Sequence, residues 1–301
     1  MRCPSLSDLP SPPQDKAGWP WTEASPQLPD TLPNGKPWPR ITIVTPSYNQ
    51  ARYLEETLRS VLLQGYPNLE YIVLDGGSAD GSVEIIRKYE PWLAYWRSER
   101  DEGQSAAIAE GFERATGEIL AWLNSDDRYQ INALGRVGSF FATHPRVVFL
   151  NSDLHAIDAE SRFTHRHFVA KPLRVLAINL GYHTWPQPGC YWRRSAYEKA
   201  GGVDPSLRFC MDRDLFIRLV AVGQSARLRG TATADMRNHS ESKSSTLLDV
   251  AAQESTLLSQ RYSSMFWRNF PLYRQFLRIT LRGSLAWRSL RRRFASIGIE
   301  I

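Results

Sequence analysis

The sequence predicts an α/β fold, a mostly parallel sheet flanked by helices and followed by a helical extension. Two observations carry this. Short apolar runs of strand length, over residues 41–44, 71–74 and 119–123, alternate with segments of helical period. Each run also gives way to glycine, acid or hydroxyl residues, as the ligand-binding edge of a parallel sheet requires. The third run, Ile119-Leu-Ala-Trp-Leu123, is continuously apolar, as a strand covered on both faces must be. It ends in Asn124-Ser125-Asp126-Asp127.

Taken in order, residues 1–40 carry prolines at 4, 10, 12, 13, 20, 26, 29, 33, 37 and 39. These block helices and sheet ladders, so the segment is expected to be extended. Trp19, Trp21 and Trp38 argue that part of it packs along the domain. After the strand over residues 41–44, a helix is expected over residues 53–64, with Leu54, Leu58, Val61 and Leu62 on one face and Gly65 at its C-cap. A strand over residues 71–74, a helix over 82–89, and a helix over 105–115 feeding the strand that ends at Asn124 complete a βαβαβ unit. A further amphipathic helix starts at Met211 and runs through Leu219, and residues 246–301 read as mostly helical. The divisions are therefore residues 1–40, a domain over 41–240 with a boundary near 127, and an extension over 241–301. No internal repeat is present.

Composition narrows the function. A chain of 301 residues with 42% hydrophobic content has enough apolar material for a packed core. A net charge of +6 and a pI near 9.3 suit an anionic partner: a nucleotide, a membrane surface or nucleic acid. Three cysteines, an odd number without metal-ligand spacing, point to a reduced, cytoplasmic setting. The proline-interrupted N-terminus is no signal peptide, and no apolar run approaches the roughly 20 residues of a membrane span. No G-x-G-x-x-G follows a strand and no P-loop occurs, which disfavours an NAD enzyme or an NTPase.

Adjacent carboxylates at a strand end repel and lose hydration, so Asp126 and Asp127 are explained by a bound cation that bridges to phosphate oxygens. Alone, the segment also reads as a solvated acidic turn. After the first strand, Thr45-Pro46-Ser47-Tyr48-Asn49 offers Tyr48 for stacking on a base. After the second, Asp75-Gly-Gly-Ser78-Ala-Asp80-Gly-Ser82 allows close backbone approach, with Asp75 an acceptor for a nucleobase or ribose. Asp80 and Ser82 equally suit a helix cap.

Together these motifs resemble the family 2 glycosyltransferases, which have the GT-A fold, over residues 41–239. Pro46-Ser47-Tyr48-Asn49, then Asp75 with Gly77-Ser78-Ala79-Asp80, are similar to that family's nucleotide-contacting loops. Asp101-Glu-Gly103-Gln104 is similar to a segment of members acting on polysaccharide precursors. Asn124-Ser125-Asp126 stands at the D-x-D position. Asn124 replaces the first acid there, so the resemblance implies that Asp126 holds a divalent cation, Mg²⁺ or Mn²⁺, with Asn124 or Asp127 near the sugar or behind the ligand. Met211-Asp212-Arg213-Asp214 resembles the acidic motif that contains the catalytic base; Met211 replaces the usual acid, and Asp212 matches the base. Arg237-Asn-His239 resembles a loop that in some members supplies a histidine for metal or diphosphate. Pro186-Gln-Pro-Gly189 with Cys190-Tyr-Trp192 would line the acceptor cleft.

The resemblance implies an inverting, metal-dependent hexosyltransferase that uses a UDP-, GDP- or dTDP-sugar. Its acceptor would be a glycan or lipid-linked hydroxyl in polysaccharide, lipopolysaccharide or other glycoconjugate synthesis. The processive Q-x-x-R-W signature is missing. Over residues 266–294, apolar positions and arginines recur at helical spacing, so this segment either lies on the inner face of an anionic membrane or packs on the domain. Nucleic acid is disfavoured as a partner because the basic residues cluster away from the sheet edge. Asn124 and Met211 leave a catalytically inactive GT-A scaffold, or a glycan- or nucleotide-binding protein, as the alternative.

Overall fold

The computed structural model describes residues 1–169 and 185–262. Within them, nine strands form one sheet: β1 (Ile41–Ser47), β2 (Leu69–Asp75), β3 (Tyr95–Ser98), β4 (Ile119–Trp122), β5 (Arg128–Tyr129), β6 (Val147–Ile157), β7 (Phe163–His167), β8 (Cys190–Arg193) and β9 (Gln224–Arg237). Their order is β3-β2-β1-β4-β8-β6-β9-β5, with β7 beside β6. The first half, β3 to β4, is all parallel. In the second half, β8 runs antiparallel between β4 and β6, while β6 and β9 are parallel.

Every residue of β1 and β2 is buried, which is why both read as unbroken apolar runs. β1 extends to Ser47, three residues past the expected end, and takes in Pro46. Pairing of β1 with β4 stops at Val44, so the N–H that proline lacks removes no ladder bond. The register aligns Ser47 with Asp75 at the carboxyl ends of the two strands.

Helices cover both faces: α1 (Ala51–Leu62), α2 (Ser82–Tyr89), α3 (Gln104–Arg114), α4 (Ala133–Thr143), α5 (Arg194–Ala200), α6 (Met211–Val222), α7 (Lys243–Thr246) and α8 (Leu248–Tyr262). One core joins α1, α2, α4 and the N-terminal segment to the sheet; the other joins α3, α5, α6 and α8. Leu54, Leu58, Val61 and Leu62 of α1 are fully buried as expected. Each such side chain contributes about 1.5–3 kcal/mol.

Three expectations need correction. α1 stops at Leu62 with Leu63 as its cap, so Gly65 is not the C-cap. Gly65 instead takes φ +62° in the following turn, where a Cβ would lie 2.2 Å from the Pro26 carbonyl oxygen. The N-terminal segment is extended over much of its run, yet it packs on the domain on either side of the mostly exposed residues 11–17: Cys3 and Ser25 donate backbone bonds to Tyr66 and Leu63, and Leu69 donates to Met1. The fully buried Arg59 of α1 donates to the carbonyls of Pro10, Pro20 and Trp21 and stacks on the Trp21 ring. Finally, Cys190, Tyr191 and Trp192 do not line a cleft. They are an interior strand with no exposure, Trp192 packing edge-on to Trp122 at 5.5 Å. A short apolar run does not reveal whether its neighbours are helices or solvent.

The segment over residues 266–294 lies outside the described residues. Among the described residues, no helix is long and apolar enough to cross a membrane.

Candidate active site

The carboxyl ends of β1, β2 and β4 meet in one place. There the loop after β2 is stitched to the loop after β1. The backbone N–H of Asn49, at φ +52°, donates to Ser78 Oγ (2.7 Å), and Asn49 Oδ1 accepts from the Ala79 N–H (3.0 Å). Asp80 accepts from the Ala51 N–H at the start of α1 (2.9 Å) and from Ser82, so its carboxylate serves as a cap between the loops. Asp75 is fully buried, and its carboxylate accepts from the N–H groups of Gly77 and Ser78 and from the hydroxyls of Ser78 and Ser98. Asp75 and Asp80, read from the sequence as nucleotide contacts, thus shape the loop with their carboxylates.

What faces outward is different. Tyr48 is 63% exposed, and Gly76 lies between its ring and Asp101: a Cβ there would sit 3.3 Å from both. A side chain at position 76 would therefore press on both the Tyr48 ring and the Asp101 carboxylate. Gly103, at φ +109°, donates its N–H to Asp101 and leads into α3, whose first residue Gln104 donates to Asn124 Oδ1 (2.7 Å).

Beyond β4 the two adjacent acids separate in role. Asp127 is buried; its Oδ1 accepts the Arg237 backbone N–H (2.8 Å), and Asn124 Nδ2 lies 3.5 Å from its Oδ2. Burial, then the Asp126 charge, raises the Asp127 carboxyl well above the usual range, opposed by the Arg237 N–H. Asp126 keeps 21% of its side chain exposed, and its Oδ2 lies 3.0 Å from His239 Nε2. These two residues are 113 apart in sequence.

Arg237 makes that meeting possible. Its guanidinium, 1% exposed, donates to the Asp126 carbonyl (2.7 Å), Ser161 Oγ (2.8 Å) and Glu56 Oε2 (2.9 Å). It also stacks on the Tyr53 ring, which lies 4.9 Å from the His239 ring. One buried cation thereby ties the end of β9 to the turn after β4.

The residues present fit a hard dication. Octahedral coordination with bonds of about 2.1 Å puts cis donors about 3 Å apart, which is the Asp126–His239 separation. Among the described residues no group of three or more His, Cys, Asp or Glu side chains is placed to hold a metal, so any cation here would have at most this pair from the protein. The remaining positions would be filled by phosphate and water. Nearby, Lys243 donates to the Arg208 carbonyl; desolvation and the Arg208 charge push its ammonium down to about 8, against the charges of Glu254, Asp101 and Asp126.

Asp212 lies in the first turn of α6, its Oδ1 accepting from the Arg213 N–H (2.6 Å). Desolvation pushes its carboxyl up to about 6, opposed chiefly by the Arg213 N–H and charge. Asp214, two residues on, is fully buried and bonded to Arg218, Arg261 and Tyr262, a structural anchor.

The family model described as glycosyl transferase family 2 matches residues 42–201, more than half of the chain. The chain belongs to that family. Among relatives, an uncharacterized glycosyltransferase of Nostoc sp. is 30% identical over 177 residues, covering 55% of this chain and 54% of its own length. The chain thus spans about half the length of that relative. Among solved structures, S. aureus TarS 1-349 in complex with UDP superposes with a TM-score of 0.55 at 20% identity, covering 67% of this chain and 61% of that one. The mannosyltransferase PcManGT from Pyrobaculum calidifontis, in complex with GDP-Man and Mn²⁺, gives 0.51 at 21%, covering 71% and 59%. At these identities the likeness speaks to the fold, which is GT-A.

The site contains residues that motif reading undervalued. Asp101 was noted only within its motif, and Arg237 and Glu56 had no assigned part. Arg237 stands two residues before His239, the single hint available; nothing local marks Glu56, on α1, as its buried partner.

Proposed function

We propose that the protein is an inverting, metal-dependent glycosyltransferase that moves a hexose from a nucleoside-diphosphate sugar to an acceptor hydroxyl. The observation that carries this is the convergence of Asp126 and His239 at 3.0 Å just past the carboxyl end of β4, in the parallel sheet whose β1 and β2 strand ends lead to Tyr48 and Gly76. In this reading Tyr48 stacks on the base, and Asn49 and Ser78 hold the loop backbone against the ribose. Asp126 and His239 hold a divalent cation, which when bound neutralises charge growing on the leaving diphosphate. Gln104 and Asn124, bonded to one another, face the sugar.

On the acceptor side, Asp212 takes the proton of the attacking hydroxyl. The acceptor oxygen bonds to the anomeric carbon as the bond to the donor phosphate oxygen breaks, and one such displacement inverts the centre. A carboxylate pushed up to about 6 is matched to this work, because it is ionised at neutral pH yet a better base than an ordinary aspartate. The resemblance of the segment around Gln104 to members acting on polysaccharide precursors supports a role in cell-surface glycan synthesis.

The test is titration calorimetry of UDP and of GDP into the full chain, with and without Mn²⁺ or Mg²⁺, beside Asp126→Ala. Metal-dependent binding of one nucleotide, lost in the variant, is expected. Absence of binding under every condition refutes the reading in favour of an inactive scaffold.

A further inference from the structure

The helix that follows the catalytic domain grips the segment that carries the proposed base. In α8, Glu254 directs its carboxylate at three consecutive backbone N–H groups: Arg208 (2.6 Å), Phe209 (2.9 Å) and Cys210 (2.7 Å). Cys210 is the residue on which α6 begins; its carbonyl accepts the Asp214 N–H, and its thiol lies 3.6 Å from Ser255 Oγ of α8. Leu258, fully buried, packs α8 into the core that contains α6, and Asp214 in the first turn of α6 receives Arg261 (2.8 Å) and Tyr262 (2.6 Å) from the end of α8. All of α8 lies beyond residue 201, where the family match ends.

We propose that Glu254 is a positioning residue for Asp212, its carboxylate clamping the three amides that lead into α6 and so fixing where the base stands. The inference rests on the reading of Asp212 as the base. The chemistry of the clamp requires a carboxylate. Three N–H donors converge on one acceptor group, two of them on Oε2, and no neutral side chain offers two acceptor oxygens. Glutamine in its place would set its own NH₂ against backbone donors, leaving part of the three N–H groups without an acceptor. The charge has a second consequence. Asp212 is faced by Arg213 on α6, which favours its ionised form, and by Glu254 on α8, which disfavours it. Cys190 on β8 and Cys210 also lie close enough to interact with it.

The experiment uses the full chain labelled with [4-¹³C]aspartate, the Asp212 carboxyl resonance being the one lost in Asp212→Asn. In the parent protein its midpoint is expected near 6, pushed up by burial. In Glu254→Gln the midpoint is expected to fall by about half a unit or more as the like charge is removed. The Cys210 thiol, buried in the parent, is expected to react with a disulfide reagent at least roughly tenfold faster as the clamp opens. If Glu254→Gln does not fold, Glu254→Asp, which keeps the charge but is one methylene short, is expected to expose the thiol. A folded variant with the parent midpoint and a protected thiol overturns the clamp. Both readouts are independent of turnover. Slow hydrolysis of UDP- or GDP-sugars that survives Asp212→Asn would overturn the base reading instead, leaving the clamp intact.

Discussion

Replacing Arg237 by methionine removes the buried guanidinium that joins the end of β9 to the turn carrying Asp126. The side chain is 1% exposed and its partner Glu56 is 7% exposed, so both have given up hydration. Truncation strips the Asp126 carbonyl, Ser161 Oγ and one Glu56 oxygen of a donor. Breaking a buried ion pair costs about 3–5 kcal/mol. Here Glu56 keeps Arg128 and Ser161, so the loss falls to about 2–4 kcal/mol, or roughly 3–6 °C in Tm for a chain of this length. Arg237→Lys should recover little of this, because an ammonium cannot reach the carbonyl, hydroxyl and carboxylate together as a guanidinium fork does. The assay is thermal and urea unfolding with calorimetry of nucleotide and Mn²⁺ on the same samples. Metal-dependent binding should weaken at least tenfold in folded protein, since the Asp126 turn loses its tie to β9. A Tm within about 2 °C of the parent together with unchanged binding would refute the reasoning.

Four further outcomes rest on the geometry. Asp127→Asn should fold and bind nucleotide within about 1 kcal/mol of the parent, because a neutral side chain still accepts the Arg237 N–H, whereas Asp126→Ala loses metal-dependent binding; calorimetry separates the neighbours. Asp212→Asn should lower sugar transfer by about 10² to 10⁴ while nucleotide affinity is kept. In the parent, kcat/KM should rise with pH through about 6 and level off above, since a raised carboxyl pKa leaves the base protonated below that value; the same sign means that Asp212 detracts from stability once pH passes its unfolded value. Gly65→Ala should destabilise by about 2–4 kcal/mol in urea melts, because φ +62° is strained for alanine and its Cβ meets the backbone of residue 26.

The parallel half of the fold was legible because its strands are buried on both faces and its helices on one, which leaves continuous runs and a 3.6-residue period in the sequence. β8 was not. Four residues of interior strand between two masses of aromatic side chains look the same as a cleft lining. The N-terminal segment was half legible: prolines announced its extended backbone, and the tryptophans that it packs, but not that Arg59 would hold three of its carbonyls. At the site, Asp126 and His239 were each readable from motif position, yet their 3.0 Å approach depends on Arg237 and Glu56, whose pairing spans 181 residues. Asp75 and Asp80 show the converse. Short polar side chains beside glycines suit a ligand or their own loop equally well, and the sequence does not reveal the loop hydrogen bonds that both carboxylates make.

The central claim, that Asp126 and His239 together hold the cation that meets the donor diphosphate, is tested most directly by pulsed electron paramagnetic resonance of Mn²⁺ bound to the protein with UDP or GDP. The account predicts bound Mn²⁺ with a ¹⁴N coupling from one imidazole, lost in His239→Gln, and a ³¹P coupling from the nucleotide. Bound Mn²⁺ whose nitrogen coupling survives His239→Gln, or a nucleotide complex that takes up no metal, would contradict it.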